Sequence, residues 1–577
     1  MPDAVLIFTF SPIQSFISEA RRTADLHVGS AILVRLAKAA AEALQQYGQL
    51  IYPAQLGKGV PNKIVARLPW DKVQDAADAA NQALDSEWLE IAASAHKELA
   101  KWQPRPDALW KSIWDRQIGR QWQTYWAAAA LADGAGPNGY AQAYQEASQA
   151  LDATKRTRAF AQGEEPDLKD SLSGCRQALR TEQLKAQAYW HELSQHVLPG
   201  KLRPNGRERL DAIAAVKRFS NLAGQRFLST SSIASPDFLQ AAQERARPAL
   251  RTYRLKVEAL LDDLLFRVRN DADWPYDGDL LYAESLTPER LKDEFGLSQP
   301  DASCLDAARK ALKELQRAVG AQPATYYAIL LLDGDDMGQH VSRCLGQQDA
   351  QGAHVRLSRQ LSDFSNQVPG LVDGHSGILV YNGGDDVLAL VPLSQALELA
   401  RALAERFRGT VSGATASAGI AVGHHQYPRG AALRAARDAE KQAKQVKDKN
   451  AVCVRVLKRS GETTEMRSPW PAMDNKLAEL IDLFRSPDGG EQGAALASRF
   501  AYEVLGAAYA LNQADEMLTA ELKRLLKRHR NPRHPSPPDP ELWAEQLCQW
   551  AAQLPEKAEE LGRWMVFARF VAQGGAE

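Results

Sequence analysis

Cysteine is scarce in this chain. The five present (Cys175, Cys304, Cys344, Cys453 and Cys548) are odd in number, scattered, and never spaced as a C-x-x-C pair. That pattern argues against a disulfide framework and gives no support for a structural zinc ion. Net charge is nearly absent too: 70 Lys and Arg face 71 Asp and Glu. No global field draws nucleic acid, so any RNA contact would have to come from a local basic patch. No apolar run is long enough to span a bilayer, and the opening MPDAVLIFTFSPIQSF has neither a basic n-region nor a small-residue cleavage site. The expectation is a cytoplasmic protein with reduced thiols and no membrane partner. What remains is ordinary globular material, 45% apolar and 24% charged, long enough at 577 residues for three to five domains.

The chemistry is concentrated between Pro323 and Pro392. Two apolar runs with strand character each end on acidic residues. Tyr326 to Leu332 leads into Asp333-Gly334-Asp335-Asp336. Ile378 to Tyr381 leads into Asn382-Gly383-Gly384-Asp385-Asp386, and Val387 to Val391 leads back out. Asn-Gly-Gly supplies the positive-φ positions of a tight hairpin. If the two strands lie side by side, Asp333 and Asp385 meet at one end of a sheet. Carboxylates that close raise one another's pKa unless a cation sits between them. Hard oxygen ligands without nearby cysteine point to magnesium or manganese, and a pair of such ions suits in-line displacement at a nucleotide phosphate. The competing reading is two acidic surface turns. GGDD alone leaves both open; a second acidic turn at the end of its own strand favours the metal.

Elsewhere, residues 4–10 read as a buried strand and 13–24 as a helix, with a break at Gly29-Ser30 before a second helix over 31–47. LIYPAQ and PNKIVARLP read as a strand pair joined through Gly57 and Gly59. From Trp70 to about Leu151 the pattern is helical and rich in tryptophan (88, 102, 110, 114, 122, 126). Aromatics interleaved with Arg105, Arg116 and Arg120 suit base stacking, but such a stripe reads first as helix-packing core. Arg203, Arg207, Arg209, Lys217 and Arg218 form a local basic cluster, either facing a phosphate backbone or forming a solvated face paired with Glu208 and Asp211. Asp271, Asp273, Asp277 and Asp279 lack EF-hand spacing and read as a solvated loop, and His424-His425 as an ordinary loop pair.

Beyond Asp333 the order is a helix starting around Asp336 to Met337, a helix near 356–368, the hairpin, a helix over 393–407, a strand over 414–422, a helix over 429–446 and a strand over 451–457. This is a split-βαβ, ferredoxin-like unit with one extension. A helix starting at Asp336 would present its N–H groups and positive dipole end to a triphosphate. Lys441, Lys444, Lys447 and Lys449 gather at the end of a helix, where lysines complement the dipole or reach a phosphate. From Trp470 onward the pattern is helical, with its most basic run at Lys523 to Arg533.

Asp333-Gly334-Asp335 ahead of Met337-Gly338, followed about 50 residues later by Gly383-Gly384-Asp385-Asp386, resembles the palm (nucleotidyl-cyclase-like) domain of the large subunit of type III CRISPR–Cas effector complexes. The opening IFTFSPIQSFISEARRTADLHVGSAIL is similar to the first palm of the type III-B branch, and Pro53, Pro61-Asn62-Lys63, Glu208-Arg209-Leu210, Val216-Lys217-Arg218, Ser417 to Ala421, His424-His425, Ala443-Lys444 and Lys449 to Val452 continue the likeness, collinear over about residues 4–460. The resemblance implies an α+β fold: a first palm with a helical insertion (1–160), a mainly helical inter-palm domain (161–321), a second, catalytic palm (322–465) and a C-terminal helical domain (466–577).

For function it implies the catalytic subunit of an antiviral RNA-guided complex that, on pairing of guide RNA with target RNA, converts ATP to cyclic oligoadenylates. Its partners would be the other type III-B subunits and both RNAs. Asp333, Asp385 and Asp386, with Gly334, would hold two Mg2+ or Mn2+ ions. Asp336, Met337, Gly338, Asn382, Gly383, Gly384, Ser417 and Lys444 would contact nucleotide, with Gly29 and Ser30 nearest the acceptor. Two departures stand out. No His-Asp dipeptide occurs and the first palm starts at residue 4, so no HD nuclease activity is expected. Only Cys175 remains where the family often has a cysteine cluster between the palms, so no zinc is expected. The alternatives are transfer of AMP to another small-molecule acceptor, a diguanylate-cyclase-like enzyme, or a non-catalytic scaffold binding guide–target RNA.

Overall fold

The computed structural model describes residues 2–103, 106–131, 139–157, 163–197, 201–223, 228–473, 476–486, 493–511 and 515–575. Two sheets organise it. The first is built from β1 (Asp3–Ser11), β2 (Gln49–Tyr52), β3 (Lys63–Pro69) and β4 (Gln123–Ala130) in the order β2-β3-β1-β4, every neighbour antiparallel. Between them run the helices Thr23–Gln45 and Val73–Leu99. The two-residue period of a strand sends alternate β1 side chains to opposite faces. Ala4, Leu6, Phe8 and Phe10 enter one core, with the tryptophan-bearing helices; Val5 and Ile7 enter another, with Tyr140, Tyr144 and residues of the second palm.

Two expectations are corrected here. Gly29-Ser30 does not break a helix: the helix Thr23–Gln45 runs straight through both. The stretch from Trp70 to Leu151 is not all helical, because QTYWAAAA forms β4 along the edge of β1. An alanine run is intrinsically helical, but a neighbouring strand with open backbone groups overrides that preference. The tryptophans do pack inside: Trp88, Trp110 and Trp114 are buried, the Trp88 indole donates to the Ile118 carbonyl (2.9 Å) and that of Trp110 to the Tyr189 hydroxyl (3.0 Å). Arg105 lies outside the described residues.

The second sheet comprises β5 (Tyr326–Gly334), β6 (Ile378–Gly383), β7 (Asp386–Pro392), β8 (Ala416–His424), β9 (Ala451–Leu457) and β10 (Thr463–Pro469), in the order β10-β9-β8-β5-β7-β6. Only β8 and β9 run parallel. β5 is central, Leu332 facing Val387 of β7 and Asp333 facing Ser417 of β8. Its even-numbered residues pack on the helices Ala350–Gly374 and Ala396–Thr410 and, through Tyr326 against Phe570, on the C-terminal helices. Its odd-numbered Tyr327 and Ile329 share a core with the helix Thr23–Gln45 of the first palm. The inter-palm helices enclose a separate core around Tyr253 and Trp274.

The basic cluster at 203–218 is split: Arg207 is exposed, while Lys217 and Arg218 are buried, with Arg218 on Glu208 as one of the expected pairings. Arg218 is buried and pairs with Asp25 (2.7 Å) and Glu208 (3.4 Å), and Glu208 also receives Arg22 (3.0 Å). The buried Lys217 ammonium donates to the Phe16 and Glu19 carbonyls. Leu210, Ile213, Val216 and Phe219 share a core with the helices of the first palm. The 271–279 stretch is not a solvated loop. Asp273 is buried against Arg247 and Arg251, and Asp277 caps a short turn over 278–281. His424 and His425 are buried at the end of β8, where His425 stacks on Tyr282 and its Nδ1 meets the Ser231 hydroxyl at 2.8 Å. Among the described residues no helix is long and apolar enough to cross a membrane.

Candidate active site at the meeting of two acidic turns

The β5 exit and the β6–β7 turn converge at one end of the second sheet. A Cβ placed on Gly334 would stand 3.0 Å from that of Asp385, so the two turns are in contact and only a residue without a side chain fits at 334. One position beyond the Leu332–Val387 pair, Asp333 comes opposite Asp386. The ammonium of Lys444, just past the helix Arg429–Ala443, donates to Asp333 and pairs with Glu440 at 3.0 Å. The structure thus brings together Asp333, Asp385, Asp386 and Lys444, four residues the sequence singles out.

Their electrostatics are those of crowded acids. Burial first, and the Asp333 charge second, push the Asp385 carboxyl up to about 7. Asp386 is exposed along one edge. Crowding by the surrounding protein, then the charges of Asp333 and Asp385, hold its carboxyl well above the ordinary range. Lys444 acts against both shifts. Burial alone would lower the Lys444 pKa, but Asp333 and Glu440 outweigh it and hold the amine above its usual range.

Whether these residues suit divalent cations is decided by their chemistry: three clustered carboxylates offering only hard oxygens, with Asp385 and Asp386 raised in pKa by burial first and by neighbouring acid charge second. Among the described residues no three Asp, Glu, His or Cys side chains stand in ready coordination geometry, and Lys444 lies on Asp333 instead. The donor set fits the cation; the ligand geometry is not preformed.

Within DGDD the sequence assigns no role to Asp335. Asp335 is buried and faces away from the carboxylate cluster. It accepts from Thr415 Oγ1 and Ser417 Oγ (2.8 Å each) and from the Asn450 amide (3.0 Å), locking the turn onto β8. Ser417 is fully buried with its hydroxyl committed to Asp335, so its side chain is a support for the turn and not a nucleotide contact. Asp336 is exposed with a left-handed φ of 53° and pairs with Lys449 at 2.5 Å. The helix Met337–Leu345 starts beside it, as expected, with no side chain capping its N-terminus, and Gly338 faces open space. Asn382 is buried too, its amide exchanging hydrogen bonds with the Ser365 hydroxyl (3.0 Å) and carbonyl (2.6 Å).

Gly29 and Ser30 are also corrected. Ser30 is buried, and Gly29 packs on Phe16 and Lys217, so both face the core and neither is free to contact a nucleotide. Two tyrosines flank the turn instead. A Cβ on Gly383 would meet the Tyr381 hydroxyl at 2.1 Å, and one on Gly384, whose φ is +74°, would meet that of Tyr52 at 2.9 Å. Burial first, and the Asp385 charge second, hold the Tyr52 hydroxyl well above its ordinary range. No motif flags Tyr52, because it comes from the other palm.

Comparison with known proteins finds likeness in both palms. The family of the Cas10/Cmr2 second palm domain matches residues 326–453, and that of the N-terminal part of CRISPR-associated protein Cmr2 matches residues 5–59. The CRISPR system Cmr subunit Cmr2 of Pyrococcus furiosus is 30% identical over 289 residues, which span 44% of this chain and 32% of that protein. The chain thus matches about a third of the length of that relative. In fold it is similar to a chain of the apo type III-B Cmr-beta complex (TM-score 0.65, 11% identity, 100% of this chain and 82% of that one). It is similar to a chain of the same assembly bound to cognate target RNA (TM-score 0.64, 12% identity, 94% and 80%). Both sheets thus contain segments similar to this family: the second sheet to the Cas10/Cmr2 second palm domain, and the opening of the first to the N-terminal part of Cmr2.

Proposed function

We propose that this chain is the nucleotidyltransferase of an RNA-guided type III-B complex, joining ATP 3′–5′ into cyclic oligoadenylates when guide RNA pairs with target RNA. The observation that carries the reading is the meeting of Asp333, Asp385 and Asp386 beside Lys444 at one end of a palm sheet. Asp333, Asp385 and Asp386, with the backbone of Gly334, would hold two Mg2+ or Mn2+ ions, which when bound acidify the attacking ribose hydroxyl and offset charge on the leaving pyrophosphate. Lys444 neutralises Asp333 meanwhile and lies close enough to exchange that carboxylate for a phosphate. No side chain caps the helix at Met337, and Gly338 borders open space, so this N-terminus is available to the donor triphosphate. The other type III-B subunits, guide RNA and target RNA are the partners this reading requires.

The test is to incubate the assembled complex with guide RNA, matching target RNA, labelled ATP and Mn2+, and to analyse the products by mass spectrometry. Cyclic adenylates that vanish in Asp385→Ala/Asp386→Ala, with assembly intact, support the reading. An adenylated small molecule would keep the site and change the acceptor. RNA binding without any nucleotide product would leave a scaffold.

A further inference from the structure

The GGDD turn is gripped from outside its own domain. The loop over 53–62, which joins β2 to β3 in the first palm, lies on the helix Ala350–Gly374 and on the β6–β7 hairpin of the second. The Ala54 amide donates to Ser358 Oγ at 2.7 Å, and the Lys58 amide to Asn366 Oδ1 at 3.3 Å. At two points the approach leaves no room for a side chain. A Cβ on Gly57 would stand 2.7 Å from Asn366 Oδ1, and one on Gly59 would stand 2.3 Å from the Asn382 carbonyl oxygen and 2.6 Å from Ser365 Oγ. Asn382 is itself tied to Ser365 on both ends of its amide, three residues before Asp385. On the far side of the turn the Tyr52 hydroxyl stands over Gly384. The turn is therefore held on one flank at Asn382 and on the other at Gly384, by residues 52–59 of a different sheet.

We infer that the β2–β3 loop of the first palm is a clasp that positions the GGDD turn, with Gly59 and Tyr52 as its two positioning residues. This rests on the metal reading of Asp385 and Asp386 for its consequence, though not for its geometry. Two carboxylates on a two-glycine turn have little of their own to fix them: glycine adds backbone freedom, and the mutual repulsion of the acids drives them apart. Neighbours that orient ligating carboxylates change metal affinity without touching the metal. The clasp supplies such neighbours, and it makes the metal site depend on how the two palms are docked.

The test uses the full chain in its assembled complex, with Gly59→Ala, Tyr52→Ala and Tyr52→Phe. Hydrogen exchange of residues 380–388 is expected to rise at least tenfold in Gly59→Ala and Tyr52→Ala, while residues 416–457 keep wild-type protection. Direct Mn2+ titration followed by electron paramagnetic resonance is expected to show affinity weakened about tenfold in both, with Tyr52→Phe, which keeps the ring but loses the hydroxyl over Gly384, between them and wild type. Wild-type exchange at 380–388 and wild-type Mn2+ affinity in Gly59→Ala and Tyr52→Ala would overturn the clasp. Neither readout requires turnover. A wild-type complex that binds Mn2+ and makes no nucleotide product would defeat the catalytic reading while the exchange data still decided the clasp.

Discussion

Lys444 donates to Asp333 across 111 residues of sequence, its helix ending where β5 ends. The pair shows how the site is balanced without a divalent cation: one ammonium offsets one of three crowded carboxylates, and the other two take up protons more readily. Lys444 lowers the carboxyl pKa of both Asp385 and Asp386, so its removal must raise them. In Lys444→Met the acid limb of the rate–pH profile is therefore expected to move to higher pH, with the maximal rate reduced at least about tenfold by loss of the phosphate contact. A profile unmoved on the pH axis would show that Lys444 does not act on these acids.

The same crowding fixes the sign of a stability effect. The Asp385 carboxyl titrates near 7 in the folded chain, against an ordinary value of 3.8. Between those values the folded state binds more protons than the unfolded one, so stability falls as pH rises, and the loss is complete above about 7. The metal-free chain is expected to lose thermal stability between about pH 4 and pH 7, and millimolar Mg2+ to restore it by binding the folded state. Asp385→Asn/Asp386→Asn should raise the metal-free midpoint at pH 8 by about 1–3 °C and abolish the rescue. Scanning calorimetry with and without Mg2+ reads both; a midpoint that rises with pH in wild type would contradict the crowding.

The acidic turns were legible because strand endings and GGDD spacing are local patterns, and topology then brought them together. What was not legible depended on a partner far along the chain. β4 reads as helix because its alanines carry no strand signal; β1 supplies it. Ser417 passes for a nucleotide contact until the register places it opposite Asp333 with its hydroxyl turned to Asp335. Gly29-Ser30 looks like a break until Phe16 and Lys217 close over it. Tyr52 has no signature at all, since its relation to Gly384 exists only once two domains dock.

The buried ionic cluster makes a different kind of prediction. Arg218 is nearly inaccessible, and both Asp25 and Glu208 depend on it. Replacing one partner of a buried ion pair strands the others, at a cost of about 3–5 kcal/mol. Arg218→Met is thus expected to lower the unfolding midpoint sharply in thermal or urea melts. Arg207, whose side chain is three-quarters exposed and reaches Asp293 only at 3.5 Å, should tolerate Arg207→Ala with a change within about 0.5 kcal/mol. Equal effects of the two substitutions would mean that the cluster is not the support of the first palm's core.

Asp335 is the hinge between the chemistry and the sheet. Its carboxylate takes three hydrogen bonds, from Thr415, Ser417 and the Asn450 amide, and its own amide donates to the Thr415 carbonyl at 2.8 Å. Asn450 ends a run of three residues, with Asp448 and Lys449, in left-handed backbone (φ 64°, 54° and 46°). Such conformations cost roughly 1–3 kcal/mol each and persist only where neighbours hold them. The Asp335 carboxylate is one such neighbour, and the Asp336–Lys449 pair is another. Ser417→Ala removes one hydrogen bond to a buried charge, about 1.5–3 kcal/mol, while leaving every metal-site carboxylate in place. It is expected to lower the thermal midpoint and to reduce nucleotide product without changing its identity. Asp336→Ala, at an exposed position, should loosen the loop's hold on Lys449 and lower the midpoint less than Ser417→Ala. Calorimetry and product analysis on the two variants side by side separate the roles: a Ser417→Ala chain with wild-type stability would show that Asp335 does not anchor the turn.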